Sequence, residues 1–356
     1  MGKEIKPLIV PVFVPHSGCP HRCVFCNQSL LTGLSEASLE PMAIRRQIST
    51  FLSGCRPAPR ASQIAFYGGN FLGLPPGKIT MLLSEAARFV AEKRIGSIRF
   101  STRPDTIDAD SLALLSGYPV QTVEIGVQSM DDRVLALAER GHTADDTRHA
   151  AVLVKEKGFQ LGLQIMVGLP GDDEAASMET AHSVGALSPD FVRIYPAVVV
   201  TGSRMALWYK NGEFTPWSLE RTVSLVKRMV LFFRKKKIDV IRMGLQATED
   251  LQPGETILAG PYHPAFGHLV LSRIMLDRAI SVLQSRPGIN GASEVTLRVH
   301  PRVESRLRGL RNENIQELKE RFQLKGVRVR TDSLVPEESV LISEVKPAAP
   351  SIPGGI

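Results

Sequence analysis

The chain has 356 residues, 43% of them hydrophobic and 22% charged, the balance of a globular protein able to bury a large core. Its 29 glycines and 24 prolines are too few for a low-complexity chain, so disorder as the main state is excluded. With 43 Lys and Arg against 36 Asp and Glu the net charge is +7, which favours anionic partners without naming one.

No apolar run reaches the roughly 20 residues that a membrane-spanning helix needs. The apolar start, Met1 to Pro15, is broken by Pro7, Pro11 and Pro15 and has no small-residue cleavage pattern. Lys6 stands where a myristoylation signal has Ser or Thr. The expectation is a soluble cytoplasmic protein without a membrane partner.

In chain order, short β-branched runs predict strands at Leu8–Val14, Ser62–Gly68, Ser97–Thr102, Thr122–Ser129, Gln160–Leu169 and Asp190–Val199. Helical patterns lie between them at Pro41–Ser53, Gly77–Arg94, Ala109–Leu115, Asp131–Glu139, Ala144–Lys157 and Glu174–Leu187. Thr143 with Asp145 and Asp146 marks a helix start, and Gly158 sits where a C-terminal cap belongs. Six strands alternating with six helices imply an α/β fold with a parallel sheet, open or curled into a partial (β/α)6 barrel. In either form the functional groups belong at the C-terminal ends of the strands.

A further helix, about Ser218–Lys237, ends in Arg234-Lys235-Lys236-Lys237. Beyond about Asp250 the alternation breaks, with Pro253-Gly254 and Gly260-Pro261 marking a junction. The rest of the chain reads as a small α+β region: helix Gly267–Gln284, strand Ser293–Val299, helix Asn314–Phe322 and strands Gly326–Arg330 and Ser339–Glu344. The expected domains are therefore 1–250, 251–346 and a disordered Pro/Gly-rich tail, 347–356.

Four cysteines are present, and three of them form Cys19-Pro-His-Arg-Cys23-Val-Phe-Cys26 just after the first strand. Such clustering is too close for a disulfide framework and points to metal or redox chemistry. Three thiolates on one tight loop can hold three irons of a cubane 4Fe–4S cluster and leave the fourth iron open. The rival reading is a structural zinc with His16 or His21 as fourth ligand, although no second Cys/His pair has that spacing. Cys55 is isolated and reads as a small buried or free residue.

The C-x3-C-x2-C array, with Phe25 before its last cysteine and Asn27 after it, resembles the radical S-adenosylmethionine (radical SAM) superfamily. That resemblance implies a 4Fe–4S cluster on Cys19, Cys23 and Cys26 whose open iron chelates the methionine moiety of S-adenosyl-L-methionine. It also implies cleavage of the sulfonium to a 5′-deoxyadenosyl radical that abstracts hydrogen from a substrate. A low-potential electron donor of the flavodoxin or ferredoxin type and sensitivity to oxygen follow from it.

The strand ends carry further matches. Phe66-Tyr67-Gly68-Gly69-Asn70 is similar to the superfamily's Gly-Gly motif, with Asn70 where Glu or Thr is more usual; the resemblance implies that Gly68, Gly69 and Asn70 hold the cofactor's methionine end, although a Gly-Gly alone is more often only a turn. In Ser101-Thr102-Arg103-Pro104-Asp105, Ser101 and Arg103 either bind the cofactor's ribose or carboxylate or form a turn. Gln128, a polar amide ending an apolar run, needs a partner that a ribose hydroxyl would supply. Arg140, in Glu139-Arg140-Gly141-His142-Thr143, has the chemistry to hold a carboxylate bidentately. Gln164 stands where oxygen-independent coproporphyrinogen dehydrogenases have Asp, a departure that bears on the ribose contact.

Together with Gly168-Leu169-Pro170-Gly171 and Ile194-Tyr195-Pro196, these stretches look most like the radical SAM domain of the elongator catalytic subunit, over about Pro7–Gln246. No acetyl-CoA loop of the Arg/Gln-x-x-Gly-x-Gly/Ala kind follows residue 250, and the remaining residues are too few for an acetyltransferase domain. That family's tRNA carboxymethylation is accordingly not carried over whole.

Between Thr296 and Arg330 ten Lys and Arg face four Glu; Arg298, Arg302, Arg306, Arg308, Arg311, Arg328 and Arg330 are among them. Such a face reads as a phosphate-binding surface for RNA or as solvated surface. His263 and His268 read either as closing the barrel mouth or as turn and packing residues. The resulting expectation is a radical SAM enzyme with a partial (β/α)6 barrel and a small C-terminal α+β domain, abstracting hydrogen from a substrate such as an RNA or tRNA base. The alternatives are a radical SAM enzyme acting on a small molecule such as a porphyrinogen or cofactor precursor, and a non-enzymatic zinc- or cluster-bearing nucleic-acid-binding protein.

Overall fold

The computed structural model describes residues 8–14, 18–27, 39–54, 62–245, 254–290 and 294–347. His16, Cys55, Gln246, the junction at 250–253 and the tail 348–356 lie outside the described residues. The chain divides into two compact units, Met1–Thr222 with Met229–Pro264, and Val223–Arg228 with Ala265–Ile356.

The first unit opens with β1 (Leu8–Phe13), α1 (Pro41–Ser53), β2 (Ser62–Tyr67), α2 (Pro76–Ala91), β3 (Ser97–Thr102) and α3 (Ala109–Ala113). It continues through β4 (Val120–Gln128), α4 (Asp132–Leu137), α5 (Ala144–Glu156), β5 (Gln160–Val167), α6 (Glu174–Ala186) and β6 (Phe191–Pro196). The two-residue β7 (Val199–Val200), α7 (Arg204–Lys210), α8 (Leu219–Lys235), β8 (Asp239–Met243) and β9 (Ile257–Ala259) come next.

Strands β1 to β6 lie side by side in chain order, all parallel, in a curled half-barrel. The sequence pattern predicts six strands; the sheet has seven, because β8 pairs parallel with β6 at the edge. Five residues with largely exposed alternate positions give β8 too weak an apolar signal to stand out. The segment after the break also folds back, β9 pairing antiparallel with β7.

Helix termini obey local chemistry. Thr143 accepts from the Asp146 N–H at 3.2 Å while the Asp146 carboxylate accepts from the Thr143 N–H at 2.7 Å, a reciprocal cap on α5. Gly158, at φ +77°, lies just past its end in the left-handed conformation that glycine adopts without strain.

The two faces of the sheet differ in kind. Val12, Phe66, Phe100, Ile125, Leu163 and Ile194 belong to a fully buried aliphatic and aromatic face. On the alternate positions stand Tyr67, Arg99, Ser101, Glu124, Gln164 and Arg193. Period-two alternation places each set on one side of the sheet.

The second unit holds α9 (Phe266–Gln284), β10 (Glu294–Val299), α10 (Glu304–Arg308), α11 (Glu313–Arg321), β11 (Gly326–Thr331) and β12 (Leu341–Lys346). Its sheet has the order β11-β10-β12, with β10 parallel to β11 and antiparallel to β12. Met275, Leu283, Val295, Leu297, Leu307 and Leu318 contribute to one buried core. Of the seven arginines named in the basic stretch, Arg298 pairs with Asp332, Arg302 with Glu337, Arg308 with Glu304 and Arg328 with Glu294. Much of that charge is therefore neutralised within the unit.

Candidate active site

The cysteine loop leaves the C-terminal end of β1 and is docked by three separate segments. From the β2 end, Asn70 Nδ2 donates to the Gly18 carbonyl at 2.7 Å. From α4, the Ala138 carbonyl accepts from the Val24 N–H at 3.1 Å. From the start of α7, the Met205 N–H donates to the Val24 carbonyl at 2.8 Å, while Asn27 Nδ2 donates to the Thr201 carbonyl at 2.7 Å. Phe25, between two cysteines, packs into apolar clusters with Leu169 and Ala197 on one side and Val199 and Met205 on the other. His21 lies flat against Gly141, where a Cβ would come within 2.5 Å of its ring.

Asn70 is fully buried, and both ends of its amide are engaged. Its Oδ1 accepts from Thr102 Oγ1 (2.7 Å), the Arg103 N–H (3.0 Å) and Thr106 Oγ1 (2.9 Å). The residue expected to face the cofactor thus ties the cysteine loop to the ends of β2 and β3. Gly68 precedes it at φ +93°, and Gly68 and Gly69 stay partly exposed at the rim.

The two arginines are also more occupied than their sequence context suggests. Arg103 Nε and Nη2 donate to both Asp105 oxygens at 2.8 and 2.9 Å, and Nη2 also donates to the Arg140 carbonyl at 2.5 Å. Arg140 Nη2 donates to the Gly126 carbonyl at 2.8 Å, and Nη1 reaches Cys23 Sγ at 3.4 Å. These contacts use two of the five guanidinium N–H donors of Arg140, and Nε and the second N–H of each terminal nitrogen remain for another ligand. Gly126 admits this arrangement because a Cβ there would lie 2.9 Å from both Arg140 Nη2 and Gln128 Nε2. Gln128 itself takes φ +66° at a register shift ending β4, a strained backbone that an ordinary strand end does not require.

His142 is buried beside these cations, and its imidazole is pushed down to about 3, first by burial and then by Arg140 and Arg103. It is neutral at physiological pH. Asp172, after the β5 turn, is pushed up to about 6 by burial, against hydrogen bonds from Ser177 and the Gly168 N–H.

Deeper on the polar face, Glu124 is completely buried. Its Oε1 accepts from Tyr67 OH (2.9 Å), Arg99 Nη1 (3.0 Å) and Arg193 Nη2 (3.0 Å). Its Oε2 accepts from Gln164 Nε2 at 2.8 Å and lies 2.8 Å from Arg193 Nε, an ion-pair contact without hydrogen-bond angles. Gln164 Nε2 also donates to Ser101 Oγ at 2.9 Å. Burial, followed by the charge of Glu124, pushes the Tyr67 phenol up, so it remains protonated.

The structure therefore gathers the expected residues into two groups. Cys19, Cys23, Cys26, Asn70, Arg103, Arg140 and Gln128 belong to the rim, and Ser101 and Gln164 belong to the Glu124 layer. His263 belongs to the first unit, and His268 lies in the first turn of α9 in the second.

The sequence profile of the Radical SAM superfamily matches residues 13–184, and that of the Radical SAM C-terminal domain matches 189–275. The chain belongs to the radical SAM superfamily. Among its relatives, the tRNA uridine(34) acetyltransferase of Dehalococcoides mccartyi is 26% identical over 56% of this chain and 50% of that protein. Protein YhcC of Escherichia coli is 26% identical over 58% of this chain and 69% of its own. The fold is similar to that of archaeal Methanocaldococcus infernus Elp3, with a TM-score of 0.59 and 21% identity over 76% of this chain and 63% of that one. The chain spans about half the length of the tRNA uridine(34) acetyltransferases it matches.

As a radical SAM enzyme the chain is expected to hold an iron–sulfur cluster and S-adenosylmethionine, and the residues present fit that pair. Cys19, Cys23 and Cys26 are thiols, with Cys23 buried and the other two at intermediate exposure. Among the described residues no three His, Cys, Asp or Glu side chains converge on a common point. Three thiols on one loop are the donor set of a cube that leaves one iron open. Arg140 Nε and Arg103 Nη1, both at this rim, are buried without a hydrogen-bond partner among the described residues. Among the described residues no helix is long and apolar enough to cross a membrane.

Sequence reasoning missed Glu124, the Thr201–Met205 dock and His142. The first had a signal, a lone acid in the otherwise apolar Val123–Val127 run; the second had none.

Proposed function

We propose that this radical SAM enzyme binds a 4Fe–4S cluster through Cys19, Cys23 and Cys26, binds S-adenosylmethionine along the ends of β2 to β5, and acts on an RNA base. The observation that carries the cofactor reading is the three-way docking of the cysteine loop at the C-terminal rim, with Arg140 on Cys23 Sγ. When bound, the cluster supplies the electron that cleaves the sulfonium to a carbon radical able to take hydrogen from a substrate.

The chain's own residues then have distinct tasks. Asn70 holds the loop against β2, and the Gly68-Gly69 backbone is open to a close ligand approach. The Arg140 guanidinium balances thiolate charge at Cys23. His142, kept neutral, adds no further charge to that rim. The buried opposite face of the sheet, sealed by its side chains, keeps water from one side of the site. A flavodoxin- or ferredoxin-type protein is the proposed electron donor.

The RNA reading is supported by the tRNA uridine acetyltransferase relatives and by the net charge of +7. The ion pairs that neutralise Arg298, Arg302, Arg308 and Arg328 favour a second reading, a small-molecule substrate. Anaerobic reconstitution should give a brown protein with about four irons and four sulfides per chain that forms 5′-deoxyadenosine under dithionite. Colourless, zinc-loaded protein would reject the cofactor reading. Deuterium passing from labelled RNA into 5′-deoxyadenosine supports RNA, and RNA binding should weaken steeply with salt. Label arriving only from small-molecule pools supports the second reading.

A further inference from the structure

The Glu124 layer does more than fill the sheet. Glu124 sits between Arg99 and Arg193, whose guanidiniums offer only N–H donors, and with Arg193 Nε 2.8 Å from Oε2 that oxygen stands as an acceptor. The atom of Gln164 that faces Glu124 Oε2 at 2.8 Å must therefore be the amide nitrogen. A turned amide would set two acceptors against each other at that distance, so hydrogen-bond polarity decides the orientation. The second amide hydrogen goes to Ser101 Oγ at 2.9 Å. Both hydrogens of the Gln164 amide are then engaged, and its Oε1 accepts nothing among the described residues. Ser101 Oγ is occupied as an acceptor, and its own proton meets no acceptor among them.

We propose that Glu124 is a positioning residue: it fixes Gln164 as a hydrogen-bond acceptor and Ser101 as its neighbouring donor, a pair matched to the vicinal hydroxyls of a nucleoside. This rests on the nucleoside-cofactor reading above and adds to it the polarity of the contact and the residue that sets it. One hydroxyl donates to Gln164 Oε1 while the other accepts from Ser101. A ligand lacking a hydroxyl at that position leaves a fixed polar group unmatched, which is how a site built to bind a hydroxyl rejects its deoxy analogue.

The test uses the cluster-reconstituted chain and three probes: S-adenosylhomocysteine and its 2′-deoxy and 3′-deoxy forms. The wild-type protein should bind at least one deoxy probe about tenfold more weakly than the ribose form. Gln164→Met should weaken the ribose probe and leave that deoxy probe unchanged, and Ser101→Ala should do the same for its own hydroxyl. Glu124→Gln frees the Gln164 amide to turn, so discrimination should fall toward onefold while binding persists. Equal binding of ribose and deoxy probes by the wild type overturns the proposal, and the binding itself leaves the cofactor reading standing. Equal weakening of all probes in Gln164→Met also overturns it, since that is the signature of a purely structural role. Failure of the reconstituted chain to hold iron or to bind any probe removes the cofactor reading and this proposal together.

Discussion

Replacing Asn70 tests whether one side chain ties the cysteine loop to the sheet. Asn70→Ala removes four hydrogen bonds, but their loss is unequal. Thr102 Oγ1 still accepts from the Leu72 N–H at 3.1 Å, and Thr106 Oγ1 still donates to the Arg103 carbonyl at 3.0 Å. The Gly18 carbonyl and the Arg103 N–H are left with no other partner among the described residues. A buried polar group left unmatched costs about 1–3 kcal/mol, and Arg103 is buried while Gly18 is only half-buried, so the expected loss is about 2–4 kcal/mol. Asn70→Asp separates the two ends: it keeps the acceptor toward β3 but turns a carboxylate oxygen against the Gly18 carbonyl. Urea unfolding of both variants, with iron content after anaerobic reconstitution, gives the readout. Both should load less iron than the wild type, and Asn70→Asp should lose loading even where its stability loss is the smaller. An Asn70→Ala protein within about 1 kcal/mol of wild type and with full iron would refute the latch.

His142 should make the fold acid-labile. Its imidazole sits near 3 when folded against an ordinary 6.5, so below about pH 6.5 the unfolded chain binds a proton that the folded chain refuses. Stability falls as the pH drops from there toward about 3, by about 2 kcal/mol already at pH 5. Urea titrations should show His142→Gln losing less stability than wild type between pH 7 and 5; parallel losses would count against the assignment. Asp172 acts in the opposite sense, because its folded value near 6 exceeds the ordinary 3.8. Its contribution is most favourable below about pH 4 and declines by about 3 kcal/mol as the pH rises to 6. Asp172→Asn should therefore gain on wild type as the pH rises from 4 to 7.5, and a constant difference in melting temperature would contradict this. For Arg140, replacement by Gln should lower the midpoint potential of the reconstituted cluster, because a cation beside a thiolate favours the more negative reduced state. An unchanged midpoint in a potentiometric titration would detach Arg140 from the cysteine.

What the sequence made legible was local. The bounds of α1 and β3, the Thr143 cap and the turn at Gly158 depend on residues within one turn or one strand, and they stand where the pattern put them. The alternation of strands and helices likewise fixed the parallel sheet, since each crossover is a short-range event. Elements with little apolar signal, such as β8 and the seven-residue α7, stayed hidden. Side-chain partners were harder still. Arg140 looks like a free clamp in its own segment, yet its partners are Gly126, 14 positions away, and Cys23, 117 away.

Glu124 is the sharpest case, because its neighbours sit at sequence separations of 25, 40, 57 and 69 and meet only once strand register is set. Read strand by strand, Arg99, Glu124, Gln164 and Arg193 are isolated polar residues in apolar runs. Read across the register, which pairs Ser101 with Glu124 and Gln164 with both Gly126 and Arg193, they form one continuous polar layer. Stability does not call for such a layer. Replacing a buried ion-pair network wholesale by apolar side chains of similar volume is often neutral or stabilising, whereas removing one partner alone is costly. A layer kept for folding alone should then tolerate its joint replacement by Leu and Met in every assay. A layer kept to orient Gln164 should tolerate it in unfolding experiments and lose the distinction between ribose and deoxyribose ligands.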